Sequence, residues 1–143
     1  MKSKHLFIVT SVIEAGAGLF LLLSPAVPVP LLLGLPLETP AGLAVGRVGG
    51  AALLSMGAAC WLARNDEQNQ AAIGLIAAML LYNTTVVVVL AHAGIGLGAL
   101  GVGLWPAVLL HLALAVWCIA CLWCKRVSTF ALLQSQGSSN ELT

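Results

Sequence analysis

Residues 41–63 read AGLAVGRVGGAALLSMGAACWLA, and this stretch decides what kind of fold the chain can adopt. It is almost entirely apolar, and Arg47 is its one charged residue. A helix that crosses a membrane needs roughly 17–25 mostly apolar residues, and this stretch meets that length. Three further runs meet it as well, at about residues 6–23, 71–91 and 104–124. The sequence therefore predicts four membrane-spanning segments.

The composition supports a lipid environment. Hydrophobic residues make up 60% of the 143 residues and charged residues 8%, against roughly 45–50% and about 25% in soluble domains. The runs are continuous rather than alternating, which favours helices over strands in a membrane. A net charge of +1 argues against a nucleic-acid partner. We therefore expect one all-α domain over residues 1–143, an integral membrane four-helix bundle.

The basic residues predict the orientation. Cytoplasmic loops of membrane proteins carry an excess of lysine and arginine. If the N-terminus is cytoplasmic, five of the six basic residues fall on that side, namely Lys2, Lys4, Arg64, Lys125 and Arg126. Both termini are then cytoplasmic, and we expect a bacterial inner-membrane protein.

Two connecting segments are rich in residues that interrupt helices. Residues 24–40 contain five prolines, which lack a backbone donor, and we expect an apolar external loop that caps the bundle or lies at the interface. Residues 92–103 contain the pattern G-x-G-x-x-G at Gly96, Gly98 and Gly101. A dinucleotide site would require a preceding strand, so we interpret this segment as a compact external turn.

The second span has glycines at four-residue steps, Gly42, Gly46 and Gly50. Glycines on one face allow a neighbouring backbone to approach closely. The pattern predicts tight helix packing. It favours contact within the chain, and dimerisation is the alternative.

Four polar residues fall inside the four predicted spans: Glu14, Arg47, Asn83 and His111. At ~1.5 Å of rise per residue they lie roughly 12–22 Å from the cytoplasmic ends of their spans. If their faces converge, they form a polar seam that binds a ligand or exchanges protons. A buried Glu14–Arg47 pair would keep both residues charged, whereas an unpaired Glu14 could exchange protons. The alternative is that Arg47 extends to the outer surface and Glu14 hydrogen-bonds to Ser11 or Asn83.

Cysteines recur at three-residue steps in the fourth span, at Cys118, Cys121 and Cys124, and Cys60 ends the second span. On a helix this spacing spreads the thiols around the surface instead of gathering them around one ion. We expect these cysteines to pack as small apolar side chains, and we predict no metal site.

Two resemblances follow from these residues. A single embedded glutamate in the first of four helices, Glu14, resembles the small multidrug-resistance exporters, whose acid exchanges protons against cationic substrates. The aromatic and glycine pattern of that family's third helix is missing here. The stretches GLFLLLSP (residues 18–25) and GRVGGAALLSMG (residues 46–57) resemble DoxX-like four-helix membrane proteins. That resemblance implies the architecture, with a link to redox complexes, and no site residues.

Two functions fit these observations. The scarcity of polar groups favours, as the first expectation, an accessory or structural subunit that binds a membrane partner, a lipid, a hydrophobic cofactor or a second copy. The buried acid favours a proton-coupled small-molecule transporter that uses Glu14. The sequence shows no nucleophile–base–acid set and no phosphate loop, so nothing in it supports catalysis, and it identifies no cofactor.

Overall fold

The computed structural model describes residues 3–66 and 69–140, with side chains up to residue 127, and this part of the chain is helical without strands. The helices are α1 (Ser3–Leu23), α2 (Pro28–Leu33), α3 (Pro40–Ala63), α4 (Gln70–Gly96) and α5 (Leu104–Asn140). Helices α1, α3, α4 and the Leu104–Val127 part of α5 are long and apolar enough to cross a membrane. The four predicted spans are confirmed as helices of sufficient length.

The helix starts follow from local chemistry. The side chain of Thr39 accepts a hydrogen bond from the Gly42 N–H at 3.1 Å, and Pro40 occupies the first turn of α3. Proline fits there because that N–H would have no helical partner. Asn69 caps α4 by accepting from the Ala71 N–H at 3.2 Å. Both helices therefore begin at residues that satisfy otherwise unpaired backbone donors.

Helices α4 and α5 extend beyond the predicted spans. Helix α4 continues through His92 to Gly96, five residues past the predicted end, and the Leu97 N–H closes it by donating to the His92 carbonyl at 3.3 Å. Helix α5 continues to Asn140. Apolar runs mark where a helix could cross a lipid layer, and the same helix can continue beyond that length.

The proline-rich segment contains the short helix α2, which the sequence did not predict. Gly34 ends α2 in the left-handed conformation, with φ 76°, and its N–H donates to the Pro30 carbonyl at 2.7 Å. The helix packs against the connection between α4 and α5, where the Gly103 N–H donates to the Leu31 carbonyl at 2.9 Å. The segment is therefore a docked element.

The glycine-rich connection approaches α2 backbone to backbone. A Cβ atom on Gly101 would overlap the Leu32 carbonyl, and one on Gly34 would lie 2.9 Å from the Gly101 nitrogen. Gly98 adopts φ 67°, a conformation that glycine tolerates best. The G-x-G-x-x-G pattern therefore has a packing and turn role here.

Helices α1 and α3 touch through their glycines. A Cβ atom on Gly50 would lie 2.5 Å from the Leu22 nitrogen and 2.7 Å from the Gly18 carbonyl oxygen. One on Gly57 would lie 2.8 Å from the Ala15 nitrogen. Only residues without a side chain permit backbones to meet this closely. Gly18 and Gly57 extend the contact beyond the glycines that the sequence singled out.

The other two predicted packing glycines also face this chain. A Cβ atom on Gly46 would lie 2.8 Å from the Pro25 Cβ, and one on Gly42 would lie 2.7 Å from the Leu37 Cδ1. The face formed by Gly42, Gly46 and Gly50 is thus covered by α1 and by the segment that follows it. The residues that cover this face belong to the same chain.

The long helices form two pairs, α1 with α3 and α4 with α5, which pack more extensively within each pair than between them. One core joins all four helices near the end where α1 begins; it contains Leu6, Phe7, Cys60, Ala72, Ile76, Met79, Leu114, Cys118 and Cys121. A smaller core near α2 contains Leu90, Leu104 and Val108. The polar residues on α4 and α5 lie between these two cores.

Candidate functional site

Glu14 is a buried acid at the middle of α1. It lies eleven residues after Ser3, which places it ~16 Å along the helix, and 2% of its surface is exposed. The Tyr82 hydroxyl of α4 donates to its Oε2 across 3.4 Å, a long hydrogen bond. This contact joins the two helix pairs.

Asn83 and His111 form a second polar contact, between α4 and α5. The Asn83 side chain is fully buried. Its Nδ2 donates to the Met79 carbonyl at 2.7 Å, and its Oδ1 lies 2.8 Å from the His111 Nδ1. Asn83 therefore connects α4 to α5 through its side chain.

An aromatic contact connects these two polar pairs. The rings of Tyr82 and His111 meet edge to face, with centroids 5.7 Å apart and an interplanar angle of 82°. Glu14, Tyr82, His111 and Asn83 thus form one continuous group across α1, α4 and α5, which we call the polar cluster. Two of its members, Glu14 and His111, carry side chains suited to proton exchange at ordinary pH.

Three buried polar atoms in the described part of the chain have no hydrogen-bond partner: Glu14 Oε1, Thr10 Oγ1 and Trp117 Nε1. Thr10 lies one turn before Glu14 on the same face of α1, and 1% of its surface is exposed. Buried polar atoms in native proteins are nearly always paired, so each unpaired one needs a physical explanation. The free Glu14 oxygen can accept a proton or contact a cation.

Arg47 does not join the polar cluster. Its side chain is exposed on α3, between Val45 and Val48, which are 71% and 70% exposed. The contact that Glu14 makes is with Tyr82, and no ion pair with Arg47 is present in the described region. Of the four residues of the expected seam, Glu14, Asn83 and His111 lie in the polar cluster, with Tyr82 between Glu14 and His111, and Arg47 lies outside it.

Tyr82 belongs to the polar cluster, and Thr10 lies on the same face of α1 as Glu14, although the sequence analysis did not include either among the site residues. Tyr82 is the one tyrosine of the chain, and it stands in the middle of an apolar span beside Asn83. A single phenol at that depth was a usable signal, because a buried hydroxyl requires a partner. Thr10 was visible as a neighbour of Glu14 on the helix face, but its lack of a partner appears only in three dimensions.

The cysteines are mostly packing residues. Cys60, Cys118 and Cys121 are buried in the larger core, and Cys124 is exposed. The Cys60 thiol lies 3.6 Å from the Met79 sulfur, linking α3 to α4. Among the described residues, no group of three or more His, Cys, Asp or Glu side chains is placed to hold a metal ion.

Comparison with known proteins adds no family. The chain matches no protein-family model, no curated protein and no solved structure. The resemblances to DoxX-like proteins and to the small multidrug-resistance exporters stay predictions. The interpretation of the site depends on its geometry and chemistry.

Proposed function

We propose that the protein is a proton-coupled transporter of the bacterial inner membrane, with both termini in the cytoplasm and Glu14 as the site that binds either a proton or a small cationic substrate. The observation that carries the proposal is the buried carboxyl group with one free oxygen, Oε1, at the junction of the two helix pairs. An acid at the centre of a membrane helix is costly, by about 2.5–3.5 kcal/mol on insertion scales for aspartate, and usually marks function.

The surroundings of Glu14 favour exchange over a purely structural role. A structural acid would be expected to use both oxygens in hydrogen bonds. Here Tyr82 contacts Oε2 across 3.4 Å, and Oε1 has no partner. A carboxylate in such a position is stabilised either by a proton or by a cation, and the two compete for it. Competition at one site couples the movement of the substrate to that of the proton.

The packing of the helices would allow Glu14 to become accessible when the two helix pairs move relative to each other. Each helix pair is tightly packed within itself, and the contacts between the pairs are fewer. The polar cluster lies where the pairs meet. A small rotation of α1 and α3 against α4 and α5 would change access to Glu14 without breaking the glycine contacts of α1 and α3.

Proton flux into proteoliposomes tests the proposal. Vesicles containing the full chain and a pH-sensitive dye should show proton flux when a gradient of a cation is applied, with sodium, potassium, methylammonium and tetraphenylphosphonium tried in turn and the membrane potential clamped. We expect at least one of these cations to drive proton movement in the opposite direction, well above the rate in protein-free vesicles. Flux equal to that of protein-free vesicles for all four cations would contradict the proposal.

The exposed Arg47 favours a second candidate, the accessory membrane subunit. A guanidinium within an apolar helix face is costly in lipid, and the residues beside it, Val45 and Val48, are exposed. A carboxylate on a partner membrane protein would neutralise it. The partner would then cover this face of α3, which no described segment of the chain covers.

The accessory role predicts a complex of fixed composition. In native mass spectrometry from mild detergent, we expect one additional membrane subunit in a constant ratio, lost in Arg47→Gln because the ion pair is removed. Arg64→Gln is the matched control, since Arg64 stacks over Trp61 at the end of α3, 3.8 Å from the ring centroid. A chain that carries only lipid, or a complex indifferent to Arg47→Gln, would argue against this role.

A further inference from the structure

We infer that His111 is a second proton-binding group of the polar cluster, and that Asn83 holds it in the tautomer that leaves the Nε2 lone pair free. The inference rests on the proposed function, because it assigns a step of proton exchange to another residue of the same site. It depends on the contacts of Asn83 on one side and of Tyr82 on the other.

The orientation of the Asn83 amide follows from its neighbour. A backbone carbonyl can only accept hydrogen bonds, so the amide atom 2.7 Å from the Met79 carbonyl must be the donor Nδ2. The reverse orientation would place two oxygens against each other. The Oδ1 atom therefore faces His111, and Asn83 is fully buried, so no solvent competes for it.

The Asn83 orientation sets the tautomer of His111. Oδ1 is an acceptor, and it lies 2.8 Å from the His111 Nδ1, so Nδ1 must carry the hydrogen. In a neutral imidazole the other nitrogen, Nε2, then has a free lone pair. When Nε2 takes up a proton, Nδ1–H still donates to Asn83. The contact with Asn83 therefore survives in both protonation states, and the ring need not reorient.

The groups that face His111 place it on the other side of Tyr82 from Glu14. From α4, Asn83 binds Nδ1 and the Tyr82 ring meets the imidazole edge to face. From α1, Glu14 reaches this region through its contact with the Tyr82 hydroxyl. Helix α2, which also packs against α5, has the sequence PVPLLL and no titratable side chain. The cluster thus contains two proton-binding groups, with the phenol between them.

Nitrogen NMR of the full chain, labelled with ¹⁵N in the histidine rings, tests the inference directly. At alkaline pH the wild-type protein should show His111 with a protonated Nδ1 and a bare Nε2. On acidification Nε2 should become protonated while Nδ1 keeps its hydrogen. His5 and His92 are exposed and serve as internal references.

Two substitutions of Asn83 separate positioning from general packing. Asn83→Asp keeps an oxygen acceptor for Nδ1–H when its other oxygen is protonated and donates to the Met79 carbonyl, and in that form it should preserve the Nδ1–H tautomer. Asn83→Leu removes the acceptor and should release a mixture of both tautomers. The wild-type spectrum alone shows which tautomer His111 adopts and whether Nε2 takes up a proton, even if neither variant folds. An Nε2–H tautomer in the wild type, or an Nε2 that stays bare until the protein unfolds in acid, would overturn the inference.

The NMR experiment tests the role of His111, and the flux experiment tests the transporter proposal, so a negative result in one does not decide the other. If cations drive proton flux but His111 never takes up a proton, the transporter proposal is supported and the role of His111 is refuted. If His111 keeps its Nδ1–H tautomer and takes up a proton at Nε2, but the protein shows no flux, His111 is a proton-binding residue and the transporter proposal is refuted.

Discussion

Replacing Glu14 with glutamine should reduce cation-driven proton flux to the level of protein-free vesicles. Glutamine has nearly the same shape, and its Oε1 can still accept from the Tyr82 hydroxyl, which contacts Glu14 at 3.4 Å. The amide cannot exchange a proton or carry a charge to attract a cation. The substitution therefore removes the chemistry while leaving the packing of α1 intact, and initial flux rates in vesicles with equal protein content measure the loss.

Glu38→Gln is the matched control for this substitution. Glu38 is exposed in the segment before α3, so the same change of atoms there should leave the flux unchanged. Glu14→Asp should retain part of the flux, since the acid is kept and only withdrawn by one methylene. Full activity in Glu14→Gln, in protein whose unfolding matches the wild type, would show that Glu14 is structural.

Gly50→Ala should destabilise the helical bundle strongly. The added Cβ would lie 2.5 Å from the Leu22 nitrogen and 2.7 Å from the Gly18 carbonyl oxygen. Both neighbours are backbone atoms of α1, which cannot rotate away as a side chain can. Overpacking typically costs about 1–3 kcal/mol and occasionally more, and we expect a loss of about 3 kcal/mol here. Reversible unfolding in mixed micelles measures the free energy of unfolding.

Gly49→Ala provides the comparison at the adjacent position. A Cβ atom on Gly49 would meet only the Leu21 Cδ2, at an ordinary 3.6 Å. Because alanine favours helix over glycine by up to ~1 kcal/mol, we expect a neutral or slightly stabilising effect. Equal losses in Gly49→Ala and Gly50→Ala would show that α1 and α3 do not meet through this face.

The apolar runs predicted the four long helices because length and hydropathy depend only on sequence. The glycine spacing predicted a packing face for a similar reason, as Gly46 and Gly50 recur at a helical period. Helix α2 was not predicted, because the five prolines of residues 24–40 indicate a loop. Its stability comes from docking against Gly101 and Gly103, which are some 70 residues away in sequence.

The depth of Arg47 along α3 does not determine the direction in which its side chain points. Counting residues placed Arg47 at a depth similar to that of His111, but depth says nothing about direction around the helix axis. Gly50 faces α1 and Gly46 faces the segment that follows it, and Arg47 lies well to the side of this face because successive residues are turned by about 100° around the helix axis. The direction of each side chain around its helix axis is also what places Tyr82 against both Glu14 and His111.

The order in which the chain is synthesised gives the Glu14–Tyr82 contact a consequence for biogenesis. The two residues are 68 positions apart, and at about 5–20 residues per second a ribosome needs roughly 3–14 s to cover that distance. Helices α1 and α3 can pair in the meantime, because their glycine contact requires nothing from α4. If the helices enter the bilayer as they are made, the nascent hairpin holds an acid without its phenol for those seconds. Insertion machinery that shelters a lone carboxyl group would then favour the yield of this protein.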